Sequence, residues 1–538
     1  MAGSSRRRTL SRRSVLAVPL VVGLGSCIGR EDDHPDPDPP AGPETPDPAP
    51  ETETDQPEPP VVDRLDLNRW ETVDLVEAGA DPTGETAISE VVESAADDDR
   101  LLLLPEGTYT MDRGVVLNSL RNVGLSGNGA RIVPTAEYAD DVLFTLGASG
   151  SVACENVFVG GLEFDFTEDG VGSAPLHSYC DGFAVIEDVS VTGHVDGTTA
   201  GRNLELRLSE NSDGVGRARI DWVRFPDGGP SAGMWLHGDT DRCLIHATDS
   251  VVSNFEDNGF YANTGDGTQI IERCYAQNNS ISNFRLGGVI RDSQVVIDDD
   301  FTHEPSRPRG IWIRSPSTRV EHCTVTNSGP PEVAVEVREG PCLIDGVTIT
   351  YHDGDQSSGV RVHDLGGEDV TVKQSLIDAG TIESSPLIDI RNDGTTLEDV
   401  TLRGRAVDAR AIRVTDASET RFEGLDIDLR GPDSRALWFS EESAAGALVR
   451  DSRLQIEGED HDLRSDMPDV AVESTDGEMW FDTSRNGIRG TINDIGTNDG
   501  DPAETGEWHE NGRIGVVVED ETNGETHLYT ANGWTALE

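Results

Sequence analysis

The residues best suited to chemistry recur at a nearly fixed interval. Tyr261, Arg285, Trp312, Glu336, Arg361, Asp389, Arg413 and Trp438 follow one another at 24 to 28 residues, each inside a short alternating segment. Two residues further on, the same segments carry Asn263, Gly287, Arg314, Arg338, His363, Arg391, Thr415 and Ser440. Residues two apart lie on one side of a strand, so both series are expected to form columns on one outward face. Arginine stays charged and grips a carboxylate through two parallel N–H bonds. Tryptophan adds a flat apolar surface, and the pairing suits an acidic sugar chain. Removing the proton beside a uronate carboxylate needs that carboxylate neutralised, by arginine or Ca²⁺, and a base nearby. Arg361, His363 and Arg391 are the candidates for that catalysis. Trp312, Arg314, Arg338, Arg413 and Trp438 are the candidates for holding the substrate.

Two other readings of the same column stay open. One is a solvent-facing ladder of ion pairs, Glu336–Arg361–Asp389–Arg413, with each cross-strand pair contributing ~0.2–1 kcal/mol. The other is hydrolysis, which uses two carboxylates, one of them protonated. Glu336 and Asp389 are two repeats apart, roughly 10 Å at about 4.8 Å per repeat. Arg361 between them is expected to lower both pKa values, which opposes an acid role. A separate candidate is Asp298-Asp299-Asp300, which leads through His303 and Glu304 into Arg309-Gly310-Ile311-Trp312 and so should overhang the column. Three adjacent carboxylates suit Ca²⁺, and equally a solvated loop. No other cofactor is expected.

The columns need elements that repeat, and the chain supplies them. From about Cys243 to Ser474 an apolar anchor is followed three and five places later by two more inward-type residues. The clearest copies begin at Ile271, Val320, Ile344, Leu397 and Phe422, with looser ones at Ile245, Ile290, Val372 and Val449; the spacings run from 19 to 30 residues. A second strand precedes each following anchor, as in Gly310-Ile311-Trp312-Ile313 and Gly359-Val360-Arg361-Val362. Repeats of this length built from period-two segments predict a solenoid, because one unit cannot bury its apolar side alone. The expected fold is all-β, a parallel β-helix.

The start of the repeat region carries a family resemblance. Gly79-Ala80-Asp81-Pro82-Thr83-Gly84, the segment from Ile88 to Ala96, Leu101-Leu102-Leu103-Leu104-Pro105-Glu106-Gly107-Thr108-Tyr109, and Asn122-Val123-Gly124-Leu125-Ser126-Gly127-Asn128-Gly129 resemble the entry of pectate-lyase-like right-handed parallel β-helix proteins. With the repeats, the resemblance covers about residues 73–495. It implies an N-terminal helix, here Ile88 to Ala96, capping the first coil. It also implies a groove that often holds polysaccharide, and it leaves the chemistry open. The polygalacturonase branch carries Asn-Thr-Asp, Asp-Asp, Gly-His-Gly and Arg-x-Lys motifs. Asn263-Thr264-Gly265-Asp266-Gly267 is a partial echo, His237-Gly238 precedes it instead of following, and Arg-x-Lys is missing. That active site is therefore not carried over.

Composition sets the surroundings. The 538 residues include 101 acidic and 42 basic ones, a formal charge of −59, and Lys373 is the sole lysine. Such a surface argues against nucleic acid as a partner. It suits concentrated salt, where a short Debye length suppresses self-repulsion, as in proteins of extreme halophiles. Residues 1–27 read as an export signal: Ser11-Arg12-Arg13-Ser14-Val15-Leu16 resembles a twin-arginine motif, and Leu24-Gly25-Ser26-Cys27 resembles a lipobox whose cysteine is lipidated. Residues 28–62, rich in Pro, Asp and Glu, read as a disordered tether. The β-helix is expected over 63–495 and a small β module over 496–538. In that module Asn532-Gly533 signals a hairpin, and Trp508, Tyr529 and Trp534 form a mini-core or a sugar platform.

Of the remaining cysteines, Cys274 and Cys323 share the position three after the anchor with one coil between them. At roughly 10 Å they are too far apart for a bridge. Cys243 and Cys342 share another position, several coils apart. The expected protein is held on the cell surface by a lipid at Cys27 and binds polysaccharide, with lyase or other depolymerase chemistry in view. The competing expectation is a non-catalytic adhesin or tailspike-like surface protein.

Overall fold

The computed structural model describes residues 65–457, apart from 136–137, 139–141, 149–151, 169–172, 196–201, 299, 302–307, 330–332, 352–357, 366–367, 384, 408, 432–434 and 441–445. Beyond 457 it describes only the backbone of strands 463–465, 471–475, 479–481, 489–492, 517–520, 525–530 and 533–537. The signal segment, Cys27 and the tether lie outside the described residues, as do Asp299 and Trp508.

The chain winds into a parallel β-helix with three stacked sheets. Sheet A carries the anchors, for example Thr268–Glu272, Val289–Arg291, Thr318–Glu321 and Cys342–Asp345. Sheet B follows it with Tyr275–Gln277, Gln294–Ile297, Thr324–Asn327 and Thr348–Tyr351. Sheet C carries the predicted columns on Ser282–Leu286, Arg309–Ile313, Val335–Val337 and Val360–Val362. Each strand pairs in parallel with its counterpart one coil on. The alternating inward side chains fill one continuous core, in which Phe260 and Phe284 stack at 4.8 Å.

The corner between sheets A and B is built the same way in nine coils. The residue two after the anchor is left-handed every time: Asp249, Arg273, Asp292, His322, Gly346, Gln374, Asp399, Gly424 and Asp451, with φ from 49° to 65°. Only two of these are glycine. The others bear a conformational cost of about 1–2 kcal/mol each, offset by hydrogen bonding between coils. Asp249 N donates to Glu272 O, Arg273 N to Arg291 O, and so on up the stack. At the next position several coils bury a serine. Its Oγ accepts an N–H from the coil before (Cys274 N to Ser293, Val347 N to Ser375, Leu425 N to Ser452, each 3.1 Å) and donates back to a carbonyl. The inward residue of sheet B then stands five after the anchor throughout, from Ala247 and Val252 to Val449 and Leu454. The other two corners vary. Between the inward positions of sheets B and C the chain takes 8 residues from Val252 to Phe260 and 16 from Val295 to Ile311.

The N-terminal cap forms as expected. Helix Ser89–Ala95 buries Val92 and Ala95, with Ile88 before it, in the same core as Leu75, Leu102 and Leu104. At the other end Arg489–Ile492 pairs in parallel with Val517–Asp520, which begins an antiparallel meander with Glu525–Thr530 and Gly533–Leu537. The last hairpin pairs Thr530 with Gly533, so the glycine of the expected Asn-Gly turn lies in the strand.

Two register expectations need correction. The partner of Ile271 in the preceding coil is Ala247, with Ile245 opposite Gln269. The first anchor is therefore displaced by two residues. Cys342 accordingly stacks over Thr318, on the line that leads back to Ile245, and does not share a position with Cys243. A slip of two keeps every inward residue inward, so alternation alone could not detect it. All six described cysteines are buried free thiols. Ile290 lies between the anchors of Cys274 and Cys323, as expected. Cys154 and Cys180 are direct partners on neighbouring coils, which spacing did not suggest.

Candidate functional site

The first column is real in register. Tyr261, Arg285, Trp312, Glu336, Arg361, Asp389, Arg413 and Trp438 are successive Cα partners in sheet C. It also runs further than expected. Toward the N-terminus Tyr261 pairs with Trp235, Trp235 with Glu205 and Glu205 with His177. Toward the C-terminus the same register line reaches Arg464 and Trp480.

Trp312 is the centre of an arginine cluster. The guanidinium carbons of Arg309, Arg285, Arg314 and Arg338 lie 4.5, 4.7, 4.9 and 5.6 Å from its ring centroid. Cations over an indole face are attracted by its quadrupole, so the ring acts as a spindle that gathers four positive charges. This corrects the expectation of an open stacking surface: Trp312 is only 9% exposed, because the arginines cover it. Its Nε1 is buried with no hydrogen-bond partner among the described residues. Trp438 is covered in the same manner, with Arg410 Cζ 3.7 Å from the ring centroid.

Two carboxylates are buried under this face. Glu336 accepts from Arg309 Nε and from Arg338 Nε, the latter at 2.6 Å. Asp389 accepts from Arg413 at 2.9 and 2.8 Å and from Arg391 Nε at 3.0 Å, with Arg391 Nη2 in ion-pair contact at 2.8 Å and Arg361 Nε 3.7 Å away. Burial alone raises each carboxyl pKa, but the hydrogen bonds and charges of the arginines outweigh it and hold both below the ordinary range. Neither is fitted to be the protonated acid of a hydrolase. Of the expected ladder, Arg361–Asp389 and Asp389–Arg413 form, whereas Glu336 takes Arg309 and Arg338.

The ion pairs leave a surplus. Arg285, Arg309, Arg314, Arg338, Arg361, Arg391 and Arg413 surround Glu336 and Asp389. Among the described residues, no carboxylate lies within ion-pair range of Arg285 or Arg314. Burial lowers the pKa of Arg285, and the charge of Arg314 adds to that, against Tyr261 and Asp257. An arginine does not give up its proton at such a site.

The remaining candidates divide. Arg361 and Arg391 meet at Asp389, whereas His363 turns its Nδ1 to the exposed Asp364. The structure does not bring these three onto one point. Asp298 spends its oxygens on Asn278 Nδ2 and Gln277 Nε2, both at 2.7 Å, and on the N–H of Asp300. No group of three or more metal-binding side chains occurs among the described residues. Sequence reasoning missed Arg309 and Arg410, which enter three residues before the column, and the whole extension from His177 to Trp235.

Neither a protein-family model nor a curated protein matches the chain by sequence. Solved structures do resemble it. One is a tailspike protein of E. coli bacteriophage HK620, at 13% identity over 84% of this chain and 81% of that one, with a TM-score of 0.42. Another is PfbA, a surface adhesin of Streptococcus pneumoniae, at 12% identity over 69% and 93%, with a TM-score of 0.40. A third is a DFA-IIIase from Arthrobacter chlorophenolicus, at 13% identity over 71% and 94%, with a TM-score of 0.37.

Proposed function

We propose that the outward face of sheet C binds an acidic polysaccharide on the outside of the cell. The observation that carries this is the pair Arg285 and Arg314. Both flank Trp312, and both lack a carboxylate partner among the described residues in a chain of charge −59. That two cations in so acidic a chain have no carboxylate in ion-pair range among the described residues supports a place where an anion from elsewhere is received. Carboxylates spaced along a polymer match cations spaced along a solenoid. Arg338, Arg361, Arg391 and Arg413 extend the positive strip, and Trp312 and Trp438 hold its arginines in place. The arrangement suits holding a chain better than cleaving it, since Glu336 and Asp389 are kept ionised. In the same reading the N-terminal segment exports the protein and anchors it by a lipid on Cys27, with residues 28–62 as the tether.

The test is affinity electrophoresis or calorimetry of the full chain against alginate, polygalacturonate, hyaluronan and chondroitin, with neutral dextran as control. Arg285→Gln with Arg314→Gln should weaken binding to the responding polymer at least tenfold. Unchanged binding in the double variant refutes the site.

A further inference from the structure

The chain enters the solenoid by way of a strap. Leu65, Leu67 and Trp70 pack toward sheet A, while Asp66, Asn68 and Arg69 are exposed, with Arg69 Nε 2.8 Å from Asp66 Oδ2. A 3₁₀ turn, Leu67–Arg69, sets this division: Leu67 N donates to Leu65 O at 2.9 Å and Trp70 N to Leu67 O at 3.1 Å. Directly afterwards Glu71–Asp74 becomes the first strand of sheet A, with Glu71 N donating to Asp99 O at 2.7 Å. We propose that this strap is a mechanical clamp. It joins the first five strands of sheet A into one unit, so that a pull on the N-terminus is borne by all of them together instead of by the first strand alone. It rests on the tethering part of the reading above, which supplies the pull.

The outer line of sheet A shows what the strap holds. Thr72, Leu101, Gly124, Phe158 and Val185 are successive Cα partners on strands Glu71–Asp74, Arg100–Leu104, Arg121–Pro134, Cys154–Asp165 and Ala174–Thr192. Leu101, Gly124, Phe158 and Val185 each stand one before a core residue, Leu102, Leu125, Val159 and Ile186, so they face outward. The next two residues on the line are Arg219 and His246. Leu101, Phe158 and Val185 are nevertheless buried, in a cluster with Trp70 that is separate from the core, and Leu65, Leu67 and Leu103 pack against it. Gly124 is the notch for the indole. A Cβ there would stand 2.9 Å from Trp70 Cζ3 and 2.8 Å from Leu101 Cδ1, closer than real side chains come.

Contact between strands that are not neighbours changes the mechanics. In a solenoid each rung touches only the rungs beside it, so an end frays rung by rung. Strand Glu71–Asp74 alone is held by a ladder of four residue pairs. Trp70, which precedes it directly, lies against Gly124 two strands on, and shares its cluster with Phe158 and Val185 on the two strands after that. The first strand therefore cannot leave until apolar contacts to the following strands have been broken, and segments that open only together form one cooperative unit. The clamp is apolar, so salt does not screen it. The exposed ion pair Arg100–Glu71, which also joins the first two strands, weakens as the Debye length shortens.

The test stretches the full chain in optical tweezers, with one handle on Cys27 and the other at the C-terminus; the six described cysteines are buried and do not compete for the handle. In the wild type a single rupture should release the chain from Leu65 to about Val185, roughly 120 residues or about 400 Å at ~3.3–3.6 Å per residue. Peeling rung by rung would give steps of about 23–34 residues, roughly 80–120 Å. Trp70→Ala should replace the long step by short ones, a reduction in length of about three- to fivefold. Gly124→Ala, which leaves every strap residue in place, should do the same. Steps from the coils after Val185 should stay unchanged in both variants, which guards against misfolding. The clamp is overturned if the wild type shows only single-coil steps, or if both variants keep the long one. Step length decides this whether or not Cys27 is lipidated in the cell, and membrane release of Cys27→Ala tests the tethering separately.

Discussion

Asp389→Asn is the most direct test of how the face is held together. The parent carboxylate has no solvent exposure, accepts three hydrogen bonds from Arg391 and Arg413, and faces Arg361 as well. Asparagine keeps the shape and removes the charge. Arg391 and Arg413 then lose the carboxylate they grip, and Arg361 the one it faces. Stranding one charge of a buried pair costs ~3–5 kcal/mol. The arginines here are half-buried and partly screened, which places the expected loss near the lower bound, about 3 kcal/mol. Asp378→Asn is the control. It breaks the Arg403–Asp378 pair, whose side chains are 55% and 37% exposed, and should cost under ~1 kcal/mol. Urea unfolding midpoints of both variants measure the difference. Salt sharpens the test: from ~0.1 to ~1 M the Debye length falls from ~10 to ~3 Å, which should erase the Asp378 effect and leave most of the Asp389 effect. Equal and small losses in the two variants would show a solvated ladder, and the arginine cluster would lose its claim to a built site.

Three further outcomes are expected. Asp389 and Glu336 have folded pKa values below their ordinary 3.8 and 4.5, so their stabilisation is complete above those values and is lost as pH falls through the folded ones; urea midpoints should drop below about pH 4, less steeply in Asp389→Asn. Thiol labelling of denatured, unreduced protein should modify Cys274 and Cys323, and if mass spectrometry finds any bridge it should join Cys154 to Cys180, the pair that shares neighbouring coils. Cys27→Ala should move the protein from the membrane to the soluble fraction, and replacing Arg12 and Arg13 by lysine should retain it in the cell; an unchanged distribution of either variant removes that part of the tethering proposal.

Much of the fold was legible because period two and a fixed corner leave plain marks. The inward residues at three and five after the anchor follow from a corner of constant length. The left-handed residue just before them, two after the anchor, was not read, since Asp, Arg, His, Gln and Gly all fill it and no single type marks it. The column from Tyr261 to Trp438 was legible for the same reason as the anchors. Its N-terminal continuation was not, although stepping back 26, 30 and 28 residues from Tyr261 reaches Trp235, Glu205 and His177. The slipped first anchor and the irregularity opposite Trp235 and His237 hid that step. Burial was the least legible property. Trp312 looks like a platform on alternation alone. Only the positions of Arg285, Arg309, Arg314 and Arg338 in space show it roofed over.

The constant A–B corner has a consequence for how such a protein changes over time. Coil lengths differ at the two corners that border sheet C, while the A–B side keeps one length in these nine coils. The molecule thus has a back that is standardised and a front whose rims are free to lengthen, shorten or be exchanged. A new loop at a rim alters what fits across the front without moving a single rung behind it. Under the proposed function, preference for one polymer over another would be set at these rims, and grafting rim segments between coils is the natural way to re-aim this surface.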